Sequence, residues 1–397
     1  MTTTSSAEPM LADSAAEFVA DPVRFAGICG VPEYIARRIP AWSAFGIDVA
    51  AVVEMIRAGK LRPTSEAWVA AFTTAGDRHA ASARLAERTG SSEEAGSAWL
   101  QASASYFLAR WPSPPPDRSD AWDAYARHRT AYLAAAKHFA YPFDVVTLPY
   151  EGTEVVAYLH RSPVGSVRPP VALLCGGIDI WKSDLFVHRI ARSLLECGVD
   201  VVAVDVPGTG QCPVRPGPGA ARVFTALIDH LVNQGHVASR LGFVGLSFGG
   251  YWATTIGLTD RRVAAVVNIG GPLHHAFQRS WLRQLPPATF ASLANSLGVD
   301  HSRDPERALN SLSRMSLVSR GILREPHRPA LLAVNGARDE QVPIADLNLL
   351  TEHGLTQDTI VFGDDRHCAS YHTTLHLPFV ARWLAAKLGA PPVTSST

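Results

Sequence analysis

The chain has 397 residues, with Lys plus Arg and Asp plus Glu both at 36 and no run of like charge. That balance excludes nucleic acid and anionic membranes as main partners, because both require a concentrated basic surface. The length favours two domains, or one core with a large appended segment.

Five cysteines, Cys29, Cys175, Cys197, Cys212 and Cys368, are scattered without a Cys-x-x-Cys spacing. Their odd number leaves at least one unpaired, which fits a reduced, cytoplasmic setting. Residues 1–17 are rich in Thr, Ser and Ala, lack the basic-then-apolar order of a signal peptide, and are expected to form a disordered tail. No apolar run approaches the roughly 20 residues of a membrane helix.

Residues 18–141 read as an all-helical segment, with apolar residues three and four apart and almost no β-branched alternation. Ser91 and Glu94 form a capping-box pattern ahead of Trp99, Leu100, Tyr106 and Phe107, and the run Pro112 to Pro116 ends that helix. A further helix from Ser119 carries Trp122, Tyr125, Tyr132, Leu133 and Phe139 as a stripe suited to core packing.

Residues 142–390 change to short apolar runs separated by helical stretches, the alternation of a largely parallel sheet covered by helices. Eight strands are predicted: Val145 to Leu148, Glu154 to Leu159, Val171 to Cys175, Val199 to Val204, Leu241 to Gly245, Val263 to Ile269, Ala330 to Val334 and Thr359 to Phe362. About residues 274–324 the rhythm breaks into helical sequence between the sixth and seventh strands, where a lid insertion is expected. Residues 391–397 are expected to be a second disordered tail.

Ser247 lies between Gly245 and Gly249, after a predicted strand and before the helical Tyr251-Trp252-Ala253. This is the context of a nucleophile elbow, in which small neighbours permit a strained serine whose hydroxyl points out of the sheet. A serine hydroxyl needs a base, and the base an orienting acid. Asp339 follows the seventh strand, with Glu340 as the fallback. His367 follows the eighth, with His372 as competitor at the start of the last helix. The oxyanion hole is expected from the N–H of Phe248 and, in Cys175-Gly176-Gly177-Ile178, from that of Gly177, with Ile178 as the alternative one residue on. Pro207-Gly208-Thr209-Gly210 lacks the full dinucleotide fingerprint, so no cofactor is expected, and no metal-ligand spacing occurs. Asp184 is read as the cap of a helix over Leu185 to Leu195, and Trp181 and Lys182 as residues of the pocket entrance.

These residues resemble the α/β-hydrolases related to the fermentation-respiration switch protein and dihydroxypseudooxynicotine hydrolase, over about Tyr141 to Leu388. The carriers are Cys175-Gly176-Gly177-Ile178-Asp179 with Lys182-Ser183-Asp184, then Asp205-Val206-Pro207-Gly208-Thr209-Gly210. Gly245-Leu246-Ser247-Phe248-Gly249-Gly250-Tyr251 and Asn268-Ile269-Gly270-Gly271 complete the set. The resemblance implies an α/β-hydrolase fold, an eight-stranded mostly parallel sheet flanked by helices, with an N-terminal helical cap domain that closes the site and contributes to a homodimer. It also implies two branches, one without a nucleophilic serine and one hydrolytic, and Ser247 places this chain with the second. Within that branch some members hydrolyse carbon-carbon bonds with an extra carboxylate after the Gly-Gly of the sixth strand. Here the stretch is Gly271-Pro272-Leu273-His274-His275, so His274 and His275 are the candidates for an auxiliary acid.

The expected function is therefore that of a serine hydrolase acting through an acyl-enzyme on a small ketone, ester or lactone. Carbon-carbon hydrolysis of an aromatic or polyketide-derived metabolite lies within that expectation. Two alternatives remain: acyl transfer, cyclisation or elimination by the same triad, and a silent binding or regulatory protein.

Overall fold

The computed structural model describes residues 31–164, 169–237 and 240–390. The expected tails at 1–17 and 391–397 lie outside the described residues.

Among the described residues six helices precede the first strand: α1 (Glu33–Ala36), α2 (Ile39–Ala44), α3 (Val49–Gly59), α4 (Glu66–Thr89), α5 (Ser92–Arg110) and α6 (Ser119–Ala136). Helix α4 starts where the Ser65 hydroxyl accepts from the Trp68 N–H at 3.1 Å, and ends at Gly90 with φ +80°, a left-handed turn that glycine adopts without a Cβ penalty. Ser91 stands at the head of α5, but its side chain makes no capping bond. The expected capping box does not form.

The sheet then runs through β1 (Phe143–Tyr150), β2 (Thr153–His160), β3 (Val171–Cys175), β4 (Asp200–Val204), β5 (Leu241–Leu246), β6 (Val263–Ile269), β7 (Ala330–Gly336) and β8 (Asp358–Phe362). The order across the sheet is β1-β2-β4-β3-β5-β6-β7-β8. Strands β1 and β2 are antiparallel to each other, β2 runs antiparallel to β4, and the remaining pairs are parallel. All eight predicted strands are present.

Strands β3 to β7 are buried on both faces, and successive residues part into two cores by the two-residue period of a strand. Ala172, Leu174, Val244, Leu246, Val267 and Ile269 pack toward the N-terminal helices, α7 (Leu185–Leu195) and the terminal helix. Leu173, Cys175, Phe243 and Val266 pack toward α8 (Arg222–Asn233) and α9 (Phe248–Thr259). Between β6 and β7 the insertion carries the short α10 (Arg279–Leu282), α11 (Pro287–Ser296) and α12 (Pro305–Ser313). Helix α13 (Ile344–Glu352) follows β7, and α14 (Thr373–Leu388) closes the described chain. Because β3, β5, β7 and β8 are parallel, their C-terminal ends share one rim. No helix of the described residues is long and apolar enough to cross a membrane.

Candidate active site

Ser247 sits between β5 and α9 with φ +55° and ψ −125°, outside the regions a residue with a Cβ adopts without strain. A Cβ on Gly245 would collide with the Gly249 carbonyl, so the turn closes only because glycine precedes the serine. The Ser247 N–H is held by the Ile269 carbonyl at 2.7 Å, which ties the strained residue to β6. Phe248 opens α9, where helix geometry leaves the first N–H groups without intrahelical acceptors and the dipole favours negative charge.

His367 Nε2 lies 2.8 Å from Ser247 Oγ, and its Nδ1 lies 2.7 Å from Asp339 Oδ2. The three side chains, from the ends of β5, β7 and β8, form one hydrogen-bonded line. Asp339 is buried, and its Oδ1 accepts from the N–H groups of Gln341 at 2.8 Å and Val342 at 3.1 Å. Burial opposes charge on the His367 ring, but the adjacent Asp339 carboxylate outweighs it and raises the imidazole pKa above its ordinary value. Past His367 the backbone turns through left-handed conformations at Cys368 (φ +62°) and Ala369 (φ +49°).

Gly177 meets the nucleophile from β3. A Cβ there would stand 2.8 Å from Ser247 Cβ and 3.1 Å from its Oγ, so only glycine allows this approach. Gly177 and Ile178 both line a small chamber of about 90 Å³ together with Ser247, Leu246, His367 and Cys368. Its apolar wall comes from Trp42 and Phe45 of the N-terminal helical region and from Phe186, Ile190 and Leu377, with the Phe45 and Phe186 rings stacked at 4.1 Å. A second space, a cleft of about 1050 Å³, opens beside it and is lined by His367 but not by Ser247. The insertion (Pro286, Thr289, Asn295), the N-terminal region (Tyr34, Trp111, Pro112) and the loops after β7 and β8 enclose it. Arg37, Arg38, Asp179, Gln341, His367 and Ser370 line both spaces and mark their junction.

The remaining expected residues stand outside the triad line, Glu340 at the large cleft. Glu340 pairs with Arg37 at 2.8 Å and with Arg366, on the surface. His372 heads α14 and pairs with Asp365 at 2.8 Å. His274 and His275 line neither space. Their N–H groups, with those of Leu273 and Ala276, converge on the buried Asp346 carboxylate, and His274 Nδ1 meets Ser316 Oγ at 2.7 Å. The turn after Gly271 is thus folded onto Asp346 rather than onto Ser247.

Trp181 and Lys182 are buried, not at an entrance, because each has a partner inside. Lys182 Nζ meets Asp205 Oδ2 at 2.5 Å, and the Trp181 ring lies 3.6 Å beneath the Arg110 guanidinium. Asp184 occupies the first cap position of α7 but makes no capping bond. Its carboxylate instead meets Arg110 at 2.7 Å, His128 at 2.9 Å and the Trp181 N–H at 2.5 Å. Arg110 also donates to the Asp179 carbonyl at 3.1 Å, and the Ser113 N–H donates to Asp179 Oδ1 at 2.8 Å. The loop from Gly177 to Asp184 is therefore clamped by the end of α5. Sequence reasoning passed over Arg110, whose only signal is a charge placed among apolar residues of a helix. It also passed over Asn335, which stands four residues before Asp339.

Among the described residues no group of three or more His, Cys, Asp or Glu could hold a metal ion.

The eight-stranded, mostly parallel sheet flanked by helices, with a serine at the β5–α9 elbow, is that of an α/β-hydrolase. A family model described as "Esterase FrsA-like" matches residues 62–388, most of the chain, and the chain belongs to that family. Esterase FrsA of Yersinia pestis (strain Pestoides F) and of Yersinia pseudotuberculosis serotype O:1b are each 29% identical over 262 residues, 64% of this chain and 62% of theirs. The chain thus spans less than two thirds of the length of these curated relatives. The solved 2,6-dihydroxy-pseudo-oxynicotine hydrolase is similar with a TM-score of 0.75 at 20% identity, over 90% of this chain and 99% of its own. AbyA5 is similar with a TM-score of 0.72 at 22% identity, over 89% and 94%. Both likenesses speak of the fold.

Proposed function

We propose that this protein is a serine esterase that cleaves a short acyl group from a larger alcohol or enol through an acyl-enzyme. The observation that carries this reading is the unbroken line Ser247–His367–Asp339, at 2.8 Å and 2.7 Å, between a small chamber and a large cleft.

In the forward step Ser247 Oγ attacks the acyl carbon and His367 Nε2 takes the serine proton. The N–H of Phe248, with Gly177 or Ile178, holds the oxyanion. The ester C–O bond then breaks, and His367 returns the proton to the departing oxygen. Water next adds to the acyl-enzyme, giving its proton to His367. Collapse releases the carboxylic acid and restores the Ser247 hydroxyl. Asp339 keeps Nδ1 protonated and offsets the imidazolium charge.

The leaving oxygen must lie on the His367 side, where the cleft is, and the acyl group on the Ser247 and Gly177 side, where the chamber is. The chamber on the Ser247 side is far smaller than the cleft, about 90 Å³ against about 1050 Å³, which suits the shorter side of the ester there. The helical region before β1, read as a cap, supplies Trp42 and Phe45 to this chamber and excludes water from it. Carbon-carbon hydrolysis has less support, since His274 and His275 line neither space and their N–H groups turn to Asp346. A silent binding role has less support too, because the triad line is complete and the curated relatives carry the name esterase.

The test pairs active-site labelling with an acyl series. A fluorophosphonate should label Ser247, and among acetate, butyrate and octanoate esters of one phenol the shortest should be cleaved best. No label at Ser247 in folded protein overturns the proposal.

A further inference from the structure

We infer that Arg38 selects substrates whose leaving group carries an anionic group, a carboxylate or a carboxylate-like enolate, so that the natural substrate is an acylated hydroxy acid. This inference rests on the esterase reading above.

Four arginines line the cleft: Arg37, Arg38, Arg118 and Arg366. Three are already neutralised. Arg37 pairs with Glu33 and with Glu340 at 2.8 Å, Arg366 pairs with Glu340, and Arg118 pairs with Asp120 at 2.9 Å. Among the described residues Arg38 has no carboxylate within 4.0 Å. Its guanidinium carbon instead lies 5.8 Å from the Trp111 ring centroid, and an aromatic face steadies a cation without cancelling its charge.

The carboxylates of the cleft are occupied elsewhere. Glu340 serves two arginines, Asp300 faces Arg303 at 3.2 Å, and Asp117 acts on Arg118. Asp179 turns its Oδ1 to the Ser113 N–H at 2.8 Å. Arg38, the one arginine of the cleft without a carboxylate partner among the described residues, is also one of the six residues that line both spaces, at the point where the departing oxygen passes from chamber to cleft. A carboxylate on that side of the ester meets a planar fork of donors whose geometry matches its own two oxygens.

The experiment uses the full chain and matched acetate esters: those of 3- and 4-hydroxybenzoate, and those of the corresponding neutral methyl hydroxybenzoates. The wild type should prefer at least one carboxylate ester by about tenfold or more in kcat/KM, the size of one charge-assisted hydrogen bond, with the difference residing in KM. Arg38→Met should bring the two kcat/KM values together, with the loss falling on the carboxylate ester's KM and with Ser247 still labelled by the fluorophosphonate. Arg38→Lys should keep part of the preference. Should the methionine variant fold poorly, inhibition of the wild type by free hydroxybenzoate, set against its methyl ester, gives the same comparison without a substitution. Equal kcat/KM for charged and neutral esters, with Ser247 labelled and the neutral ester turned over, overturns the role of Arg38 and leaves the esterase standing. A preference that survives Arg38→Met overturns it as well. Absence of both label and turnover overturns the esterase reading and this inference together.

Discussion

The Asn335 side-chain nitrogen donates to Asp339 Oδ2 at 2.9 Å, to the same oxygen that faces His367 Nδ1 at 2.7 Å. The Asn335 amide oxygen meanwhile accepts from the Cys368 N–H at 2.9 Å, one residue beyond the histidine. One amide therefore sets both the orientation of the acid and the position of the base.

Asn335→Ala removes both bonds. A loss of about 1–2 kcal/mol from positioning the pair corresponds to about 5–30-fold in rate. The expected result is a fall of that size in kcat with KM steady, measured on an acetate ester. An equal rise in KM would assign Asn335 to substrate binding instead.

The pH profile follows from His367, which acts as base only when neutral. Its pKa is raised by Asp339 against the effect of burial, so the acidic limb of kcat/KM should fall above pH 6.5. In Asp339→Asn the limb should move to lower pH, with the plateau reduced by up to about 10⁴-fold. The sign for stability is the reverse of that for activity. A raised folded-state pKa contributes stability below the unfolded value, and this is lost as pH rises through the folded value. Urea melts across that window should therefore differ between wild type and Asp339→Asn mainly at the acidic end.

The strain at Ser247 sets stability against activity. A non-glycine residue at φ +55° costs about 1–3 kcal/mol, while glycine costs roughly 0.5–1 kcal/mol in chain entropy. Ser247→Gly should be inactive yet raise the urea midpoint, and Ser247→Ala should be equally inactive without that gain. A glycine variant less stable than wild type would mean that the elbow is not strained.

Arg110 joins the helical region to the loop that bears Gly177. Removing one partner of a buried pair leaves the other charge uncompensated, at a cost of about 3–5 kcal/mol. Arg110→Met should lower the melting temperature accordingly, and Arg110→Met with Asp184→Leu should recover a substantial part. In the surviving folded protein kcat should fall, because the Asp179 carbonyl and the Gly177 loop lose their clamp.

Resolution of the acyl-enzyme by water predicts label from oxygen-18 water in the released carboxylate. An unlabelled product would assign the second step to an internal nucleophile or to elimination.

Much of the architecture was legible because it is written locally. The runs of β3 to β7 are continuous apolar stretches because both faces are buried, and Ser247, Asp339 and His367 stand directly after strands whose parallel direction brings their ends to one rim. What escaped the sequence depends on distant partners. Asp184 has the residue type and position of a cap, yet it is drawn to Arg110, 74 positions earlier in the chain. His274 and His275 look available until Asp346, 72 and 71 positions later, gathers their backbone. The contribution of Phe45 to the chamber has no motif at all, since it follows only from how α2 lies against α7.

Tyr34, Arg37, Arg38, Trp42 and Phe45 all precede residue 62, where the family likeness begins. One wall of the two spaces thus precedes, along the polypeptide, the stretch that bears the serine, the histidine and the aspartate, while Trp111, Phe186, Ile190 and Thr289 complete the spaces from within it. Such modularity lets a lineage keep one reaction centre while exchanging its opening helices, so that paralogues alike from 62 to 388 can diverge in diet without touching their chemistry. A chimera with foreign residues before position 62 would alter one wall of each space while keeping the recipient's reaction centre.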